Sequence, residues 1–251
     1  LAGVADADIR CGDSIREAGH RDADATLTRF DRVLTNPPVA MTADQGRHEI
    51  DHPERMRYGW PTSRRTQAEL LCVQHVLSLL RPDGVGVMVI PSSTMSRSDD
   101  TPIWRTLIED GRLHTIVNIG ANAFPGTSIP ACILILRGPG HRPAATGRDL
   151  LFVDAAPDLA TGRTEHVVAP DQAEKIIDVV AARETVPGFS RLVALPEVFT
   201  TRWSLNPRRF VHTGSSTTAL PDVRSTIFGG VPIAEIAQEA ERFAAFGIDL
   251  M

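Results

Sequence analysis

The stretch Phe30-Asp31-Arg32-Val33-Leu34-Thr35-Asn36-Pro37-Pro38 constrains this chain more than any other, because an apolar strand runs directly into an Asn-Pro-Pro corner. Proline fixes its own φ near about −65°, removes a backbone donor and drives the preceding residue out of the helical region. Asn36 is therefore held extended and the strand must end beside it. The corner presents the Asn36 side-chain amide and the carbonyl oxygens of residues 36 and 37, with no neighbouring amide hydrogen competing for them. In open α/β sheets the carboxyl ends of strands are where ligands bind. These acceptors suit an exocyclic amine, whose nitrogen lone pair is otherwise delocalised into its ring. Two oxygens on the amine hydrogens draw the nitrogen toward a tetrahedral form able to attack a methyl sulfonium, with no general base of shifted pKa. The alternative reading is a surface turn, since Asn-Pro is an ordinary turn starter.

The rest of the chain reads as alternating strands and helices. Strands are expected at 8–11, 30–35, 85–91, 115–119, 131–137 and 150–154, and helices at 64–80, 102–110 and 170–183. Leu70, Leu71, Val73, Val76, Leu77 and Leu80 supply one broad face of the first helix, and Ile103, Leu107 and Ile108 that of the second. The unbroken apolar run from Val85 to Ile90 predicts burial on both faces. Phe124 to Pro130 is too short for a crossover, so the strands it joins should pair antiparallel. Gly84-Val85-Gly86 precedes a strand instead of opening a helix and reads as a turn. Residues 39–63 form a long loop, and Gly138 to Pro143 a hairpin or linker where a domain boundary would fall. In the tail from Val231 to Phe246, Ile233, Ile236, Ala240 and Phe243 recur at helical spacing, as for a helix that docks on the core or on a partner.

Composition narrows the class. With 251 residues, 42% of them hydrophobic, the chain can bury a substantial core. Cys11, Cys72 and Cys132 have no close pairing, which argues against a disulfide framework and a cysteine zinc site. No apolar run approaches the roughly 20 residues of a membrane span, and no charged-then-apolar leader opens the chain, so a cytoplasmic home is expected. A net charge of −5 does not favour a stand-alone DNA binder. Basic residues nonetheless gather after the corner (Arg47, Arg55, Arg57, Arg64, Arg65), against Glu49, Asp51 and Glu54. That pattern suits a DNA-facing loop or a solvated mixed-charge loop.

His48-Glu49-Ile50-Asp51-His52 matches the His-Glu-x-x-His pattern of zinc peptidases, with Glu69 as the nearest third ligand. Gly46 and Pro53 leave it hardly two turns of helix and no apolar face, so no metal site is expected. Ser92 and Ser93 lack a Gly-x-Ser-x-Gly elbow, and His75 reads as a satisfied buried histidine.

Several blocks, in order and spacing, resemble the adenine-N6 DNA methyltransferase domain of modification subunits of type I restriction-modification systems. They are Gly12-Asp13-Ser14, the Asn-Pro-Pro corner, Arg57-Tyr58-Gly59-Trp60-Pro61, Gln74 through Gly84, Val87 to Pro91, and Phe124 through Leu134, with a further likeness at Trp203 to Phe210. The narrowest is Gly126-Thr127-Ser128-Ile129-Pro130-Ala131-Cys132-Ile133-Leu134. The resemblance implies an α/β, Rossmann-like methyltransferase sheet with helices on both faces and an antiparallel edge hairpin. Residues 1–137 would be part of the catalytic domain and 138–251 a C-terminal extension with a partner-binding tail.

It further implies S-adenosylmethionine as methyl donor, with Asp13 and Ser14 near the cofactor. Asn36 and the Pro37 carbonyl would accept from the target amine, and Pro38 would fix the corner. Val39, Arg57, Tyr58 and Trp60 would face the DNA, and the partners would be duplex DNA, a specificity subunit and a restriction subunit. Two departures stand out. Val39 replaces the family's Phe or Tyr, a stacking face worth roughly 1–3 kcal/mol for a flipped base; Tyr58, Trp60 and Phe124 are the candidate rings to substitute. The family's glycine-rich cofactor loop and ribose-holding acid have no counterpart, so the cofactor half is expected to be missing. A non-catalytic assembly or DNA-binding subunit with the same fold is the rival reading, and methyl transfer to a protein glutamine or to RNA a third.

Overall fold

A computed structural model describes residues 6–38, 53–60, 69–122, 128–141, 149–159, 168–200 and 204–212. Six strands form one mixed sheet: β1 (Phe30–Thr35), β2 (Leu80–Pro91), β3 (Leu113–Gly120), β4 (Ala131–Arg137), β5 (Asp149–Asp154) and β6 (Ser190–Ala194), in the spatial order β1-β2-β4-β3-β5-β6. The helices are α1 (Glu69–Ser78), α2 (Thr101–Glu109), α3 (Ala156–Leu159), α4 (Pro170–Ala182), α5 (Leu195–Thr200) and α6 (Arg208–Val211). β1 and β2 run parallel, with Thr35 opposite Met88. β4 is antiparallel to both β2 and β3, and β3 is parallel to β5.

The short connector after β3 thus gives the expected antiparallel pair. Because β5 and β6 continue the sheet beyond β3, that hairpin lies inside the sheet and not at its edge. The same pairing carries the sheet across residue 138, where the sequence suggested a division. The chain divides into two compact units, 1–213 and 214–251, and the second, with the 231–246 tail, lies outside the described residues.

The sheet is sealed on one face. Leu70, Val73, Val76 and Leu77 of α1 and Ile103, Trp104 and Leu107 of α2 pack on Met88, Ile90, Ile116 and Leu134. Gly86 lets α1 approach, since a Cβ there would meet Val76 Cγ1 at 2.7 Å. Gly84 and Gly86 fall within β2, and the chain reversal expected there survives as a bulge, since the register against β1 slips by three residues between Leu80 and Val85. On the other face α4 brings Val179, with Ile176 and Val180, onto Val117, Leu151 and Val153. It leaves Val85, Val87 and Val89 only half-buried and Leu34 83% exposed. The run Val85 to Ile90 is fully buried on one face only, because alternate side chains of a strand face opposite ways.

Pro170 in the first turn of α4 and the Gln172 side chain, accepting from the Ala169 N–H at 2.9 Å, start that helix. The strand expected at 8–11 does not form. Ile9 is 75% exposed, and Arg10 instead binds Asp8 and the Gly19 carbonyl. One apolar residue among polar ones has no face to bury. Among the described residues no helix is long and apolar enough to cross a membrane.

Candidate active site

β1 delivers Asn36 to the carboxyl end of the sheet. Asn36 and Pro38 are exposed and Pro37 is half-buried between them, so the amide faces outward on a rigid base. The neighbouring strands end at the same level. Pro91 closes β2 opposite Ala131 of β4, and the Ser92 N–H donates to the Pro130 carbonyl at 2.8 Å. Ser92 Oγ lies 3.2 Å from Cys132 Sγ. The Asn-Pro-Pro corner, the Val-Ile-Pro strand end and the Ile-Pro-Ala-Cys block, far apart in sequence, thus share one end of the sheet.

Buried polar groups brace this end. Beyond β2, Arg97 lies 3.5 Å from Glu69 and 3.5 Å from Asp100, both carboxylates nearly fully buried, and donates to Thr94 Oγ1. Burial pushes the Asp100 carboxyl up, against the pull of Arg97. Beyond β3 and β5, Asp154 has no exposed side-chain surface and accepts from Asn118 Nδ2 and His212 Nε2, each at 2.7 Å, with Arg208 at 3.6 Å. Sequence reading missed both clusters. Their residues lie on separate elements far apart in sequence, and only strand pairing and helix packing bring them together.

Two of the three thiols are held inside the fold. Burial pushes Cys132 and Cys72 up to about 11, so both stay protonated. His48, Glu49 and His52 lie outside the described residues, and Glu69, their would-be third ligand, faces Arg97. Among the described residues no group of three or more His, Cys, Asp or Glu is arranged to hold a metal.

The remaining expected site residues scatter. Asp13 is exposed and its Oδ1 caps a turn, accepting from the N–H groups of Ile15 (3.0 Å) and Arg16 (3.2 Å). The Ser14 carbonyl accepts from the fully buried Arg55. Val39 and Phe124 lie outside the described residues. Arg57 and Tyr58 do not reach the corner. They line a cavity of about 820 Å³ together with Thr28, Arg29, Arg81 and Arg112, at the amino end of β1. Six strand residues separate that end from Asn36, about 20 Å at roughly 3.3 Å per residue. Gln74 of α1 holds this segment there, accepting from the Tyr58 N–H at 3.0 Å and donating to the Gly59 carbonyl at 2.8 Å. Arg57 stacks on Tyr58, 5.3 Å from its ring centre, and burial raises the Tyr58 hydroxyl. Trp60 is half-buried at the end of the segment. The Arg-Tyr-Gly-Trp block is thus clasped to a helix, and Tyr58 is no substitute for the ring absent at position 39.

Known proteins share this arrangement. The family model described as N-6 DNA Methylase matches residues 2–218. The chain is similar to the type I restriction enzyme HindI methylase subunit of Haemophilus influenzae, 25% identical over 235 residues, covering 90% of this chain and 48% of the relative. It is also similar to the type I restriction enzyme MpnII methylase subunit of Mycoplasma pneumoniae, 20% identical over 185 residues, covering 73% of this chain and 33% of the relative. Among solved structures, the type I restriction-modification methyltransferase subunit from Streptococcus thermophilus superposes with a TM-score of 0.68 at 27% identity, covering 80% of this chain and 41% of that one. The chain thus spans about a third to a half of the length of these relatives. With the family model matching most of its residues, over a sheet that carries the Asn-Pro-Pro corner at its carboxyl end, the chain belongs to the N-6 DNA Methylase family.

Proposed function

We propose that this chain is the amine-binding part of a modification subunit that methylates the N6 of adenine in duplex DNA. The observation that carries the reading is the exposed Asn36 amide on its proline base, at the same end of the sheet as Pro91 and Pro130. Asn36 Oδ1 and the Pro37 carbonyl accept the two amine hydrogens, and Pro38 keeps both oxygens fixed. S-adenosylmethionine supplies an electrophilic methyl group when bound. Asn36 and the Pro37 carbonyl suit the amine, whereas Asp13, the residue expected near the donor, is engaged as a turn cap. No step is therefore routed through the donor. The chain's contribution is to orient the nitrogen lone pair outward and exclude competing donors, a positioning effect. A specificity subunit and a restriction subunit are the partners that fit such a subunit, with a cytoplasmic location.

The test is methyl transfer to adenine by the full-length gene product and by its Asn36→Ala variant. Loss of transfer with DNA affinity unchanged is expected, and wild-type turnover in the variant would remove the assignment. A wild-type product that binds DNA without methylating it would select the non-catalytic reading that Val39 motivates.

A further inference from the structure

A second cavity of about 310 Å³ lies between α4 and the sheet, its Arg137 side toward the end opposite Asn36. Its walls are apolar: Val117, Ile133 and Ile135 from the strands and Ile176 and Val180 from α4. Arg137 and Arg183 line it as well. Neither guanidinium has a carboxylate within ion-pair distance among the described residues. Arg183 lies 2.5 Å from His114 Nε2 and donates to the Asp149 carbonyl at 2.6 Å, both uncharged acceptors. Arg137 Nε is buried and has no hydrogen-bond partner among the described residues. Asp149 acts on Arg183 only from beyond ion-pair distance, so neither charge is paired beside the apolar pocket.

The backbone adds an independent sign. Arg183 closes α4 at φ 52°, the left-handed region that glycine ordinarily fills. An arginine held there keeps a side chain where the helix end alone would favour none. His114 stays neutral, its imidazole held down to about 3 by burial and then by Arg183 and Arg137, and its Nδ1 lies 2.9 Å from Thr115 Oγ1. A neutral imidazole with Nε2 free to accept from Arg183 fixes the direction of that guanidinium without cancelling its charge.

We propose that this cavity binds a small amphipathic carboxylate, its apolar body against Ile133, Ile135 and Val180 and its head between Arg137 and Arg183. Mostly apolar walls with a few convergent polar groups are the usual makeup of small-ligand sites, and a guanidinium fork matches a planar carboxylate. The site is separate from the methylation reading: Arg137 pairs with Val85 at one end of β2, whereas the corner neighbours Pro91 at the other.

The test is calorimetric titration of sodium octanoate into the full-length gene product, with acetate and octan-1-ol as controls. Octanoate should bind at one site, and acetate, lacking the body, and octanol, lacking the head, at least about tenfold more weakly. Arg183→Gln, at an accessible helix end, should weaken octanoate at least about tenfold, as should Arg137→Gln. Ala181→Trp, which fills the cavity from the exposed side of α4, should abolish binding while circular dichroism shows the fold retained. Absent octanoate binding, equal binding of acetate, or undiminished affinity in folded Arg183→Gln would each overturn the proposal.

Discussion

The two ends of the sheet are chemical opposites. At the carboxyl end of β1 and β2 the chain gathers acceptors on stiff backbone, with Pro37, Pro38, Pro91 and Pro130 removing competing N–H donors. At the other end it gathers donors: Arg112 and Arg183, whose described hydrogen bonds go to carbonyls or an imidazole and not to carboxylates, and Arg137, whose buried Nε has no partner among the described residues. An amine needs oxygens with nothing else to bind, and an anion needs donors whose charge is not already neutralised. A net charge of −5 conceals this division, because total charge says nothing about which end of a sheet carries which sign.

The contrast can be broken at either end. The largest effect should come from Asn36→Ala in the full-length product, a loss of about 10²–10³-fold or more in methyl-transfer rate by analogy with deleting one directed hydrogen bond at a reacting centre. Next is Asp154→Ala, which leaves His212 and Asn118 without their buried acceptor. Urea unfolding should show destabilisation of up to about 3 kcal/mol, the scale of leaving buried polar groups without their hydrogen-bond partner.

At the donor end, His114 sets a pH dependence. Its native pKa lies far below the ordinary 6.5, so as pH falls beneath 6.5 the unfolded chain takes up a proton that the native state refuses until about 3. Stability contributed above 6.5 is therefore lost on acidification, by up to about 1.4 kcal/mol per pH unit. Between about pH 6.5 and about pH 5 the loss should reach up to about 2 kcal/mol, and His114→Phe should flatten that slope. The smallest effect is Arg81→Gln, which breaks an exposed ion pair with Asp31 at 2.9 Å and should lower the free energy of urea unfolding by less than about 1 kcal/mol.

Local pattern made several elements legible. β1 ends where Asn-Pro-Pro forbids anything else, α2 follows from Ile103, Leu107 and Ile108 at helical spacing, and β3 and β4 pair antiparallel because their connector is short. Elsewhere the pattern misled. Ile9 suggested a strand that finds no partner, and Val85 to Ile90 suggested two buried faces although α4 covers only the β3 and β5 side of the second. Arg57 and Tyr58 follow the corner in sequence, yet Gln74 draws them to the far end of β1.

What the sequence determined by itself was the corner: two proline rings restrict Asn36 through covalent geometry, and no distant contact is needed to fix its acceptors. What only the tertiary structure decided was the company each end keeps. The Asp154 network, the cavity under Arg137 and Arg183 and the clasp on Tyr58 all depend on strand order and register. Those follow from long-range pairing, which leaves no trace in the spacing of neighbouring residues.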